Sequence, residues 1–327
     1  MKRGYILLSI CLVLMGMITQ ATIDPKKEKV LILGVGKNIA HCLTTMIAKI
    51  ETLGNCFSDY RVFIYENNST DATADILEQW TLNNAKVTVI SEYVSGDELH
   101  KRTQGHALRD QAPCRMELIA YARNQVLMQA MDSAYDDYSL VVMTDLDFQR
   151  GWQVDDIIAS LNVTDQWDGI AANGLNGDHY HYDRYAFRDD QFPLGPELIG
   201  EEFWRIRLEQ PIYFLPGTPL RKVYSAFGGV AIYKRESLRD CYYTGFVTQD
   251  LEWLMQEIIN NKMSTDHQFY QCYRNAIGNR PAPLPIIFIP NCGYDSPVVC
   301  EHSTLHASMI KKGHDKLFVN PNLICRY

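Results

Sequence analysis

Two carboxylates one residue apart, Asp145 and Asp147, follow directly on the apolar run Val141-Val142-Met143-Thr144. At the end of a buried strand, such a pair can share one hard divalent ion. Mg²⁺ and Mn²⁺ favour oxygen ligands of this kind and also bind phosphate oxygens. Aspartates also cap turns, so the pair gains its meaning from the buried strand before it. Glu66-Asn67-Asn68 follows a second apolar run, Arg61 to Tyr65, and continues into Ser69-Thr70-Asp71. A strand-to-helix turn capped by Ser69 or Asp71 accounts for part of this pattern. Glu66 at the strand end could instead accept hydrogen bonds from a base or a ribose. Arg123-Asn124 offers a guanidinium suited to a diphosphate or to fixing the Asp pair. Glu301-His302 with His306 supplies a carboxylate and two histidines, the latter on one face if the segment from Ser303 is helical. Asp183, within Tyr182 to Arg188, sits among aromatic and guanidinium groups of the kind that hold sugars; a buried aromatic cluster with Asp183 paired to Arg188 fits equally.

These residues need elements to place them. Lys29 to Gly34, Arg61 to Tyr65, Lys86 to Ile90 and Tyr138 to Thr144 are short apolar runs suited to buried strands. Helical spacing separates them, over Ile39 to Leu53, from Ser69-Thr70-Asp71 to about Leu82, and from Arg115 to Met131. Strands alternating with helices imply a parallel, Rossmann-like sheet, in which ligands bind at the carboxyl ends of the strands. Those ends carry Gly36-Lys37-Asn38, Glu66-Asn67-Asn68 and Asp145-Leu146-Asp147. Ser91 to Pro113 reads as a polar loop. In the second half, Trp167 to Ala171, Gly229 to Tyr233 and Pro285 to Ile289 are the strand candidates. Residues 174–222 have little periodicity, which points to a substrate loop or lid. Phe227-Gly228-Gly229 suits either a close backbone approach to a ligand or a tight turn.

Composition narrows the class. The 327-residue chain is 46% hydrophobic and 21% charged, in the ordinary globular range, and its net charge of −8 argues against a nucleic-acid partner. Lys2-Arg3 followed by an apolar run from Tyr5 to Ile18 reads as a signal peptide or short signal anchor over residues 1–21, with Thr19-Gln20-Ala21 as a cleavage site. The run is shorter than the roughly 20 residues a bilayer span needs, which favours cleavage. It predicts the secretory lumen (Golgi or ER), a bacterial envelope or a secreted product rather than the cytoplasm, with membrane association through this segment. Nine cysteines permit disulfides without giving their connectivity, and no CxxC suggests structural zinc.

The series YENNSTDAT, YARNQVL and VVMTDLDF resembles the GT-A glycosyltransferases. WDGIAANG, HYDRYAFRD, SAFGGVAIYKRESL and CEHSTLH resemble the capsule-associated α-1,3-mannosyltransferase family of fungi and its bacterial and viral relatives. The resemblance runs from about residue 29 to 323. It implies an α/β fold of GT-A type, one catalytic domain over 22–327. Residues 22–150 form the Rossmann-like nucleotide-sugar half, and 151–327 a mixed-sheet acceptor half. It implies that Glu66, Asn68, Asp71, Arg123 and Asn124 hold the nucleotide, and that Asp145, Asp147 and the late His302 hold Mn²⁺ or Mg²⁺. Glu301 and Asp183 become candidate catalytic groups. The activity implied is transfer of a sugar, mannose first, from a GDP- or UDP-sugar to a glycan or glycoconjugate hydroxyl.

Other classes fit less well. Gly34-Val35-Gly36 lacks the third glycine of a dinucleotide fingerprint, because position 39 is Ile. A DxD phosphatase or phosphotransferase resembles the Asp pair but typically carries Thr or Val where Gln149 stands. A non-catalytic carbohydrate-binding protein of the same fold is the third reading, disfavoured by the intact Asp145, Asp147 and His302.

Overall fold

A computed structural model describes residues 22–103, 114–164, 166–177 and 180–327; the signal segment expected over residues 1–21 lies outside them. Among the described residues, nine strands form a single sheet, β1 (Lys29–Gly36), β2 (Asp59–Asn67), β3 (Val87–Glu92), β4 (Leu140–Asp145), β5 (Gly169–Asn176), β6 (Tyr180–His181), β7 (Arg221–Lys222), β8 (Val230–Lys234) and β9 (Leu317–Arg326). The order is β3-β2-β1-β4-β8-β5-β9-β7, with β6 paired to β5. β3, β2, β1 and β4 run parallel, β8 is antiparallel to both β4 and β5, and β9 returns parallel to β5. This mixed α/β sheet is of the GT-A class expected.

The parallel half forms where the sequence is apolar on both strand faces. Val30 and Ile32 point to one core, with α1 (Ala40–Gly54) and α2 (Thr73–Asn83) supplying Leu43, Met46 and Leu77. Leu31 and Leu33 point to the other, where the helix that crosses from β3 to β4 supplies Ala120, Val126 and Leu127. Alternate side chains of a strand face opposite ways, so a central strand covered on both faces needs an unbroken apolar run.

The segment expected as a polar loop carries the helix α3 (Gly96–Arg102), whose N-cap Ser95 accepts from the Glu98 N–H. Beyond it, α4 (Arg115–Ala130) is the crossover helix and α5 (Val154–Ser160) follows β4. Residues 174–222 do not form an open lid in their described part. They hold α6 (Pro196–Ile199) and α7 (Glu201–Glu209), and they bury Phe187, Leu194, Leu198 and Ile206 in the main core. Nor do Arg188 and Asp183 pair there: Arg188 pairs with Glu197 at 3.3 Å instead.

α8 (Gln249–Glu257), α9 (Gln268–Ile277) and α10 (Glu301–Lys311) complete the α-helices of the described residues. Pro285–Ile289 is not a strand. Prolines at 281, 283, 285 and 290 remove the N–H groups a ladder needs. The remaining donors go elsewhere, Ile287 to the Tyr273 hydroxyl at 2.7 Å and Ile289 to the Glu197 carbonyl at 2.8 Å. Sequence reading missed the two-residue strands β6 and β7 and the long β9, whose pairing with β5 shifts register between Ala172 and Asn173. The eight described cysteines are free. Among the described residues, no helix is long and apolar enough to cross a membrane.

Candidate active site

β4 ends in a turn fixed by its neighbours. The Asp145 N–H donates to the Gly229 carbonyl at 2.9 Å, and the Trp152 indole N–H donates to the Thr144 hydroxyl at 2.8 Å. Leu146 is buried at 1% exposure, so the two aspartates flank an anchor that points into the core. Gly228 and Gly229 both take positive φ, at 66° and 94°. A Cβ on Gly228 would lie 2.3 Å from the Ala172 carbonyl, and one on Gly229 would lie 2.3 Å from the Phe148 ring. The close approach those glycines permit is therefore to β5 and Phe148, and not to a ligand.

Arg123 is the hub behind the pair. From α4 its Nη2 donates to Asp145 Oδ1 at 2.7 Å and its Nε to Glu301 Oε1 at 3.1 Å. The guanidinium lies 4.6 Å from the centre of the Phe227 ring. Its Nη1 is buried with no protein acceptor. Burial works against the charge on Arg123, but Asp145 and Glu301 outweigh it and hold the group protonated. Burial also dominates at Asp145: it raises the pKa to about 6, Arg123 opposing the rise and Asp147 adding to it. Asp183 is raised too, chiefly by burial, while its Oδ2 accepts from the Gly228 N–H at 2.9 Å.

A cleft of about 350 Å³ opens at the carboxyl ends of β1, β2 and β4. Lys37 follows β1 there, Tyr65 and Asn67 end β2, Arg102 comes from α3, Arg115, Tyr121 and Arg123 from α4, and Asp145 and Asp147 from β4. Tyr327, after β9, closes the lining. Arg102 stacks 4.2 Å from the Tyr121 ring centre and pairs with Glu92 at 2.9 Å. One wall is cationic and aromatic, the other carries the two carboxylates.

Of the residues singled out in the sequence, Gly36, Lys37, Asn67, Arg123, Asp145 and Asp147 line this cleft. Glu66, Asn68, Asp71 and Asn124 do not, and each has its polar atoms engaged by the protein. Glu66 is 2% exposed and accepts from the Ser69 N–H and the Ser91 hydroxyl, at 2.8 and 2.6 Å. Asn68, at φ 55°, bonds the backbone N–H and carbonyl of Val94. Asp71 accepts from the Thr73 and Ala40 N–H groups, joining the starts of α2 and α1. Asn124 clamps both backbone groups of Tyr243 at 2.8 Å.

His302 does not line the cleft either; its Nε2 lies 3.5 Å from Glu301 Oε1, behind Arg123. It is 2% exposed, stacked 3.9 Å from Phe227, with neither ring nitrogen hydrogen-bonded, and burial holds its pKa well below normal. Among the described residues, no three His, Cys, Asp or Glu side chains gather as a metal-binding group. His306 is buried between the hydroxyls of Ser225 and Tyr233, at 3.0 and 2.9 Å.

Sequence reasoning missed Tyr65, Arg102, Arg115, Tyr121 and Tyr327. For Tyr65 a signal existed: side chains alternate along a strand, so if Glu66 turns inward, Tyr65 and Asn67 share the opposite face.

No curated protein matches the chain. Solved structures resemble it distantly. The mannosyltransferase PcManGT from Pyrobaculum calidifontis, in complex with GDP-Man and Mn²⁺, is 13% identical over 94% of this chain and 59% of its own, with a TM-score of 0.43. GalNAc-T7 with UDP, GalNAc and Mn²⁺ is 11% identical over 93% of this chain and 44% of its own, at 0.41. Staphylococcus aureus TarS 1-349 is 13% identical over 66% and 50%, at 0.37. The chain thus spans about half the length of these proteins, and likeness at this level says nothing of substrate or metal. The sequence itself is more specific: residues 31–258 match the model of cryptococcal mannosyltransferase 1, well over half the chain. The chain belongs to that family of glycosyltransferases.

Proposed function

We propose that this protein transfers a mannosyl group from GDP-mannose to a glycan hydroxyl with the help of a divalent cation. The observation that carries the proposal is the cleft in which Asp145 and Asp147 face Lys37, Arg102 and Arg115. The carboxylate pair suits a hard cation such as Mn²⁺ or Mg²⁺. Asp145 spends one oxygen on Arg123 and Asp147 one on Tyr327, which leaves each a second oxygen for a ligand. Burial disfavours charge on Asp145, a cost that a bound cation relieves. When bound there, the cation supplies positive charge against the departing diphosphate.

The chain's own residues supply the rest. Lys37 and Arg115 offer charge-assisted donors for phosphate oxygens, while Arg102 is held by Glu92 and Glu98 and braces the Tyr121 ring. Tyr121 gives the cleft flat apolar surface for a base or a sugar ring. Arg123 keeps Asp145 in place and presents a buried Nη1 that lacks an acceptor. Glu301 is 4% exposed and spent on Arg123, so its role is to position that hub. Asp183 fixes the turn at Gly228 on the acceptor side. We further propose that residues 22–327 act as one catalytic unit, delivered by the Met1–Ala21 leader to a lumen or envelope. N-terminal sequencing of the exported form tests this: a chain beginning at Met1 in the cytosol contradicts it.

A thermal-shift series with GDP, UDP and CDP, each with and without Mn²⁺, tests the activity. Stabilisation by GDP that needs Mn²⁺ and disappears in Asp147→Asn supports the reading. A folded protein that responds to no nucleotide, with or without metal, removes it in favour of a non-catalytic sugar binder.

A further inference from the structure

Asp145 is held by Arg123, but Asp147 stands exposed at the cleft mouth, where an aspartate side chain rotates freely unless something ties it. What ties it comes from the other end of the chain. The Tyr327 hydroxyl donates to Asp147 Oδ2 at 2.9 Å. The Tyr327 ring is fixed from two directions, by Phe148 at 4.9 Å and Tyr182 at 5.0 Å, both nearly edge-on. Its backbone is fixed as well. The Tyr327 N–H donates to the Leu175 carbonyl at 3.2 Å, and Arg326 and Gly151 exchange hydrogen bonds at 3.0 and 2.9 Å. Gly151 lies four residues beyond Asp147, so the turn carrying the carboxylate and the segment carrying the phenol are stitched together by backbone.

We infer that Tyr327 is a positioning residue that orients Asp147 for the divalent cation. The inference rests on the proposed metal role of Asp145 and Asp147. A phenol on one carboxylate oxygen fixes the rotamer and turns the other oxygen toward the ligand, without adding a competing charge. Groups that hydrogen-bond a metal's carboxylate ligand typically account for about 10- to 100-fold in metal affinity. The paired aromatic contacts explain why a tyrosine, and not a serine or threonine, supplies the hydroxyl: the ring spans from Tyr182, just after β6, to the turn after β4.

The test is a Mn²⁺ titration of the full chain, with free Mn²⁺ followed by its electron paramagnetic resonance signal, alone and with inorganic pyrophosphate. Tyr327→Phe keeps the ring and removes the hydroxyl. It is expected to raise the Mn²⁺ dissociation constant about tenfold with an unchanged melting temperature. Tyr327→Ala should match that weakening and also lower the melting temperature through the lost packing. If Tyr327→Phe binds Mn²⁺ as wild type while Asp147→Asn does not, the hydroxyl only packs and the inference fails alone. If Asp147→Asn itself binds Mn²⁺ as wild type, the metal reading fails and the inference falls with it.

Discussion

Two guanidinium groups are buried almost equally, Arg123 at 3% exposure and Arg188 at 1%, yet they serve different ends. Arg188 is closed off by the protein. Its Nη2 reaches both oxygens of Glu197 at 3.3 Å, and its Nη1 donates to the carbonyls of Tyr185 and Phe187 at 3.0 and 2.8 Å. Gly195 leaves the room: a Cβ there would sit 1.8 Å from Nη2. Arg123 instead ties together two acids far apart in the sequence, and Asp145 borders open cleft. A closed ion pair specifies packing, whereas one that borders a cleft can exchange partners with a ligand. The first should therefore answer in stability and the second in turnover.

Breaking the closed pair gives the largest effect. Arg188→Met leaves Glu197, at 0% exposure, charged and unpaired, and such changes cost about 3–5 kcal/mol. Chemical denaturation should show that loss. The double variant Arg188→Met/Glu197→Leu should recover most of it, because well-packed apolar replacements of buried pairs are often neutral. A double variant as unstable as the single one would mean that the guanidinium's bonds to the carbonyls, and not the ion pair, hold this region.

Arg123→Lys sharpens the contrast from the other side. A lysine keeps the charge but cannot bridge two carboxylates from one planar fork. Transfer should fall by roughly 10²–10³ in kcat/KM, the size seen when a preorganised electrostatic group is lost, while stability falls by about 1–3 kcal/mol, because Asp145 borders the cleft but Glu301 is left buried with a poorer partner. Transfer assayed beside urea unfolding separates the two. A variant that unfolds as readily as Arg188→Met would place Arg123 with the structural pair.

How far such distinctions could be read beforehand depends on what each residue leaves in the sequence. β1, β2 and β4 were legible because strands buried on both faces must be apolar throughout, and that run is local. β9 was not, because Asn320-Pro321-Asn322 interrupts its pattern and its partner β5 lies far away in the chain. Asp145, Asp147 and Arg123 were legible as a group because carboxylates at a buried strand's end have few structural uses. The resemblance named Glu66, Asn68, Asp71 and Asn124 as nucleotide ligands; in the fold each has its polar atoms engaged by the protein, through partners such as Val94 and Tyr243 that no local pattern names. Tyr327 left no local sign at all, since only the return of β9 beside β5 brings it to Asp147.

The mildest test compares buried charge with buried neutrality. His306, between Ser225 and Tyr233, has its pKa lowered by burial to about 3, and burial first, then Arg184, puts His181 at about 3 as well. Both stay neutral in the fold, whereas in the unfolded chain histidine takes up a proton near pH 6.5. The unfolded state then binds more protons between those values, so stability is complete above about pH 6.5 and declines as pH falls toward 3. Each histidine contributes a slope of up to about 1.4 kcal/mol per pH unit in that window. Asp145 works in the opposite sense, because its raised pKa of about 6 makes stability fall as pH rises from about 4 to 6. His306→Gln should flatten the fall in melting temperature below pH 6, and Asp145→Asn should steepen it. An unchanged profile in His306→Gln would show that this histidine is protonated in the fold, and that the Ser225 and Tyr233 hydroxyls serve as acceptors for a buried cation, as carbonyls do for Arg188.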